Sequence, residues 1–452
     1  MSARNELPCA AIPRLRVGLV FFGIMILLSG IDQSSISSLS AQTIQQAPAQ
    51  IQQQPVQGQP TQTSGNPADL QAPPSQIEGH EVEWEGWKFK WQVREIEGLV
   101  LTDVYFDKKK VLKYIGLAEI YVPYATGSPR PVDFTLGGFK ANPMPIEMER
   151  DCYAKGSCKP LNKDGSPASG KFADVMIHDE ETGFAYAGAA GRAPGKMLVL
   201  WSMCHFPGPG DGVNNDGYTY VIRWKFFNDG RIRAEVGATG GLQHLNIDKN
   251  KARGVFVGKD SKGERVFGPS HVHNFYFRVD LDIDGEKNVA QELNYENDKT
   301  NPMKSRALWS KIEKEGGFNT NPKTFRSWRV LNPNSLNAQG RPRSYQIMSN
   351  SGGSWRDGDK FGNGILKYDI LFTKFRDNEI PYSSVDATRS LIALNNYMNR
   401  EKLDKEDIVI WNRVSFMHLP RSEDWPAQPI VWHGFDLLPR DFLDASPLEV
   451  TK

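Results

Sequence analysis

The chain is short of the residues that staple small folds: 452 residues hold four cysteines. None of them forms a Cys-x-x-Cys pair, so the spacing of a structural zinc site is missing. Charge of one sign is missing too. Lysine plus arginine (54) nearly balance aspartate plus glutamate (53), which leaves no long-range field to draw in nucleic acid or an anionic membrane. No internal repeat of fixed period is present, which excludes solenoids and propellers built from identical units. Helical patterns are also scarce, the best being TRSLIALNNYM (Thr388 to Met398) and SRALWSKIEK.

What is there begins with an export pattern. Arg14 and Arg16 precede the apolar run VGLVFFGIMILLSGI, 15 residues long, shorter than the roughly 20 of a spanning helix. Residues 1–41 read as a signal peptide cleaved near Ala41, or as a retained signal anchor. The destination is periplasmic or extracellular, with membrane attachment only if the segment is retained. Residues 42–76, rich in glutamine and proline, have no hydrophobic period and cannot bury enough surface to offset the entropy of ordering, so a disordered tether is expected. The folded domain is then 77–452. Cys9 falls in the signal; DCYAKGSC suggests a local disulfide between Cys152 and Cys158 and leaves Cys204 free.

Beyond the tether, strand-like runs dominate: WKFKWQV, GLVLTDVYF, KMLVLWSM, YTYVIRWKFF, HNFYFRVDLDI, SYQIM, ILKYDILFTKF and DIVIWNRVSFM. The fold class they predict is mainly β, one large antiparallel β-sandwich.

One stretch, SHVHNFYFRVDLDIDG, carries chemistry. On a regular strand His271 and His273 share a face with Phe275, Phe277, Val279, Leu281 and Ile283, which must point into the core. Asp280 and Asp282 take the opposite, outward face, unless a bulge intervenes. Imidazoles two residues apart have roots roughly 6–7 Å apart and can meet on one metal ion. A third inward imidazole comes from IVIWNRVSFMHLP, where His418 is in phase with Ile408, Ile410, Val414 and Phe416, while Asp407 has the aspartates' phase. In YTYVIRWKFF, Tyr218 and Tyr220 face inward with Ile222 and Trp224. Plain alternatives stand beside each reading: core histidines hydrogen-bonded for packing, tyrosines that merely fill space, and solvated surface aspartates.

These segments, in this order, resemble the catalytic domain of the copper-containing, topaquinone-dependent primary amine oxidases. The resemblance runs from about Glu81 to the C-terminus and rests on WEGWKFKWQVREIEGLVLTDVYFDKKKVLKYIGLAEIYVPY, HVHNFYFRVDLDIDG, WRVLNPNSLNAQGRPRSYQI, MHLPRSEDWPAQP and FDLLPRDFLDASP. It implies copper on His271, His273 and His418. A second, calcium-like ion is implied on Asp280, Asp282 and Asp407 with the carbonyls of Leu281 and Ile408. Tyr218, six residues before Trp224, falls at the tyrosine that becomes topaquinone, although Gly217 and Thr219 flank it where the family has Asn and an acid. Asp133 falls at the catalytic base, and Tyr124 at the tyrosine bonded to the quinone oxygen. The implied activity oxidises a primary amine with oxygen to aldehyde, ammonia and hydrogen peroxide. A homodimer is implied too, with QHLNIDKNKARGVFVGKDSKGERVFGPS as a short hairpin arm. A copper protein of this fold without quinone, and an exported binding domain without activity, are the competing classes.

Overall fold

The structure is a computed structural model that describes residues 79–125, 138–141, 143–152, 157–207, 217–243, 254–301, 303–349, 367–377, 379, 381–382 and 398–451. Asp133, the signal, the tether and the expected helix up to Tyr397 lie outside the described residues. The chain divides into units Met1–Ala72 and Pro73–Lys452, and everything below concerns the second.

Alternating apolar and polar residues with turns between them give two antiparallel sheets. Across the first, eight-stranded sheet run His80–Trp84, Trp87–Arg94, Gly98–Phe106, Lys109–Tyr121, His271–Leu281, Ile408–His418, Ile370–Lys374 and Gly316–Phe318. The second, eleven-stranded sheet has at its centre Pro342–Met348, Gln428–Arg440, Ile232–Gly240, Gly217–Phe227 and Gly191–Pro207. Their facing side chains make one core in which Phe89, Leu101, Ile115, Phe277, Trp224, Ile347, Ile410 and Phe435 are inaccessible to solvent. Each such side chain contributes about 1.5–3 kcal/mol by leaving water.

Two indoles tie the sheets together. Trp87 Nε1 donates to the Phe227 carbonyl at 2.8 Å, and Trp224 Nε1 donates to the Leu99 carbonyl at 3.0 Å. Both bonds satisfy the one polar atom of a buried indole.

The central strand differs from expectation on its outer face. Every residue of His271–Leu281 is buried, because Tyr276, Tyr121, Leu371, Val409 and Trp411 form a second, smaller apolar cluster there, with Phe375 and Met398 packed against it. The outward phase of the aspartates is therefore not solvent. SRALWSKIEK also corrects the helix expected for it: Ser305–Lys311 is a strand paired along Val289–Asn297, with Trp309 opposite Leu293. Ladder pairing with a long neighbour overrides the weak local helical preference. Gly254–Lys259 and Arg265–Pro269 form a hairpin in the segment read as an arm. Cys152 and Cys158 are disulfide-bonded, and Cys204, outside that disulfide, is buried with its thiol 3.8 Å from the Tyr220 carbonyl.

Candidate metal centres

Both candidate centres are built by one strand pair. His271–Leu281 and Ile408–His418 run antiparallel with His271 opposite His418 and Asp280 opposite Val409. The histidines thus collect at one end of the pair and the aspartates about 30 Å of strand away, at 3.3 Å per residue. Period-two alternation puts the clusters on opposite faces. The irregularities that would disturb this phase fall on the neighbouring strand: Asp280 pairs Tyr114 and Leu281 pairs Leu112, so the extra residue is Lys113.

At the histidine end, one nitrogen each of His271, His273 and His418 converges. His271 Nε2 lies 3.0 Å from His273 Nε2 and 3.2 Å from His418 Nδ1. The outer nitrogens are held by acceptors: His271 Nδ1 donates to the Pro269 carbonyl at 3.0 Å, and His418 Nε2 donates to Asp424 Oδ2 at 2.9 Å. Those partners fix the tautomers, so that bare lone pairs face one another on the inside. Burial pushes the His271 imidazolium down to about 3, with the neighbouring His418 adding to the effect, and pushes His273 well below its ordinary value. Three imidazoles at these separations are a ligand set for a borderline metal with bonds of about 2.0 Å. Copper fits these donors.

The other sheet supplies the phenol. Gly217–Phe227 points Tyr218 and Tyr220 inward, and the Tyr218 hydroxyl sits 2.7 Å from His271 Nε2 and 3.1 Å from His418 Nδ1. It donates its hydrogen to Gln428 Oε1 at 3.0 Å, which leaves the oxygen's lone pairs toward the imidazoles. Burial, and next Tyr124, raise the Tyr218 phenol well above the usual range; a metal ion alongside would reverse that. Tyr220 reaches His273 Nδ1 at 3.4 Å. Tyr124 is bridged to His271 through the backbone, and its ring stacks on the imidazole with centroids 4.5 Å apart.

At the acidic end, Asp280, Asp282 and Asp407 each turn an oxygen to a common point. Asp280 and Asp282 are 1% and 0% exposed, and Oδ1 of all three lacks a hydrogen-bond partner. Leu281 and Ile408 lie beside them in the chain. Cations hold the outer oxygens. Arg278 Nη1 is 3.3 Å from Asp280 Oδ2, Lys110 Nζ is 2.9 Å from Asp282 Oδ2, and Lys113 Nζ is 3.1 Å from Asp407 Oδ2. Burial raises Asp280 to about 8 and raises Asp282. Burial opposes the charge on Lys110 and Lys113, yet the carboxylates outweigh it and raise both. The buried carboxylate oxygens without hydrogen-bond partners fit a hard cation such as calcium.

Several residues here escape a reading of the sequence. Asp424, six residues after His418, sits in a short 3-10 turn whose acid could have been noticed by proximity alone. Gln428 gives no such signal. A register slip between Ala238 and Gly240 puts an extra residue in the partner strand, which turns Gln428 inward. His433, stacked on Phe416 at 3.7 Å, and the lysines above are equally unmarked.

An antiparallel sandwich with three convergent imidazoles beside a buried phenol has the layout of a metal-binding protein. Residues 76–164 and 213–451 match the family description "Copper amine oxidase, enzyme domain", and the chain belongs to that family. It is 25% identical over 383 residues to copper amine oxidase 1 of Aspergillus niger, covering 78% of this chain and 55% of the relative. To the copper-containing amine oxidase alpha 3, peroxisomal, of Arabidopsis thaliana it is 28% identical over 256 residues, covering 52% and 37%. Among solved structures it superposes on the copper-containing benzylamine oxidase of Hansenula polymorpha with a TM-score of 0.69 and 25% identity, over 84% of this chain and 63% of the other. The chain thus spans about half the length of the curated relatives it matches.

Proposed function

We propose that this chain is an exported, copper-dependent primary amine oxidase whose cofactor is a quinone made from Tyr218. The observation that carries it is the Tyr218 hydroxyl, placed 2.7 and 3.1 Å from two of three convergent imidazole nitrogens. Bound copper with oxygen supplies the oxidation of a tyrosine to topaquinone, and that quinone supplies the two-electron oxidation of a primary amine to aldehyde, with ammonia and hydrogen peroxide released.

The chain's own residues do the rest. His271, His273 and His418 would hold copper; the Pro269 carbonyl and Asp424 keep the inward nitrogens of His271 and His418 bare by accepting from their other nitrogens. Gln428 keeps the phenol hydrogen off the metal side. Tyr124, whose ring stacks on His271, is proposed as the tyrosine that hydrogen-bonds the quinone oxygen. Asp133 is proposed as the base that takes a proton from the substrate carbon, a step contributing roughly 10²–10⁴-fold. A calcium-like cation on the three aspartates, a homodimer, a signal in 1–41 and a tether in 42–76 belong to the same proposal.

The test is direct. Copper-loaded protein should stain with a quinone-specific redox dye and contain one copper per chain, and Tyr218→Phe should keep the copper and lose the stain. A blank wild-type stain with stoichiometric copper would instead support a copper protein of the same fold without quinone. Neither copper nor stain would leave a binding domain.

A further inference from the structure

The acidic centre has a feature that its three carboxylates do not require: two lysines reach it from one strand. Lys110 and Lys113 both lie on Lys109–Tyr121, and each contacts the outer oxygen of a different aspartate, at 2.9 and 3.1 Å. Lys113 is aimed there by the bulge. As the extra residue between the Asp280–Tyr114 and Leu281–Leu112 pairs, it shares the outer face with Tyr114 instead of alternating away from it. Its ammonium also sits 4.1 Å above the Phe375 ring, which holds the side chain in place. Arg278, the third cation, is matched by Glu379 at 2.8 Å. Both ammonium groups sit nearer to the ligand carboxylates than to the exposed acids that share them, Asp103 at 4.0 Å from Lys110 and Glu286 at 3.7 Å from Lys113, so they offset part of the negative charge of the ligand set.

We propose that Lys110 and Lys113 are built-in counter-cations that set how tightly the second site binds a divalent cation, holding it to weak, exchangeable binding while the inner Oδ1 atoms stay free to coordinate. This rests on reading the three aspartates as a cation site. The independent sign of a ligand is the trio of Oδ1 atoms without hydrogen-bond partners, two of them on aspartates 1% and 0% exposed. Calcium affinity follows ligand charge and rigidity over many decades. A divalent ion a few ångströms from a fixed ammonium is repelled enough to cost at least about tenfold in affinity, even when water screens the pair.

The experiment is calcium titration by calorimetry on copper-free full-length protein. Wild type should bind one calcium with a Kd weaker than about 10 µM. Lys110→Met and Lys113→Met should each tighten binding at least tenfold, and the double variant should tighten it further. Asp282→Asn in any background should abolish the signal, locating it at this site. Equal or weaker binding in the lysine variants, nanomolar binding by wild type, or no binding by any variant would overturn the proposal. Circular dichroism checks folding, and Lys113→Gln, polar and uncharged, replaces Lys113→Met if the latter is misfolded. Copper content and quinone stain on copper-loaded portions of the same preparations report the histidine centre separately, so failure of the oxidase reading is distinguishable from failure here.

Discussion

At the scale of single residues, chemistry here depends on which nitrogen of a histidine is bare. Asp424 decides that for His418 by accepting from Nε2 at 2.9 Å, and it is itself 2% exposed, so no water replaces it readily. Asp424→Asn weakens the acceptor, and its amide can present a donor instead. The expected result is a loss of roughly 10–100-fold in copper affinity, measured by competition with a chelator. Unchanged affinity would mean that His418 is oriented by something else. The three histidines are legible in the sequence because strand phase alone points them inward. Asp424 and Gln428 are not, because their places come from a 3-10 turn and a register slip rather than from a periodic pattern.

At the scale of elements, the phenol depends on how one strand begins. Gly240 pairs with Tyr218 across the sheet at φ +102°, and a Cβ there would lie 2.5 Å from the Gly217 carbonyl and 3.0 Å from the Thr219 nitrogen. Gly240→Ala must push the start of the Gly217–Phe227 strand away and strain its own backbone, at about 1–3 kcal/mol. Copper stoichiometry should survive, because the ligands stand on the other sheet, while quinone per copper should fall at least tenfold. Equal stain in variant and wild type would show that the strand start tolerates displacement. The inward phase of Tyr218 is readable from YTYVIRWKFF. Its distance from the histidines is not, since nothing local says which strand of the facing sheet lies opposite.

At the scale of the whole molecule, burying neutral imidazoles makes stability depend on pH. His271 titrates at about 3 in the folded metal-free protein, chiefly through desolvation, against roughly 6.5 when unfolded. Between those values the unfolded chain binds the proton and the folded chain does not, so stability rises with pH. It is complete above about 6.5 and is lost as pH falls toward 3, with a slope of about 1.4 kcal/mol per unit for each such histidine. Asp280, raised to about 8, contributes a slope of the opposite sign over the same range, so the His271 share is read as a difference: from pH 5 to 7 the denaturant midpoint of metal-free wild type should gain more, or lose less, than that of His271→Gln. Equal slopes in the two proteins would show that His271 is not buried neutral.

The sequence by itself determined the two-sheet class, the faces on which histidines, tyrosines and aspartates fall, and the family, because alternation and collinear motifs are local properties of a strand. Only the tertiary structure decided that Asp280 and Asp282 are buried and that Ser305–Lys311 is a strand. It also supplied the partners of His418, Tyr218, Asp282 and Asp407, which are Asp424, Gln428, Lys110 and Lys113 in turn. Those outcomes depend on which distant segment covers a face and where a register slips, and neither quantity is encoded within any one stretch of chain.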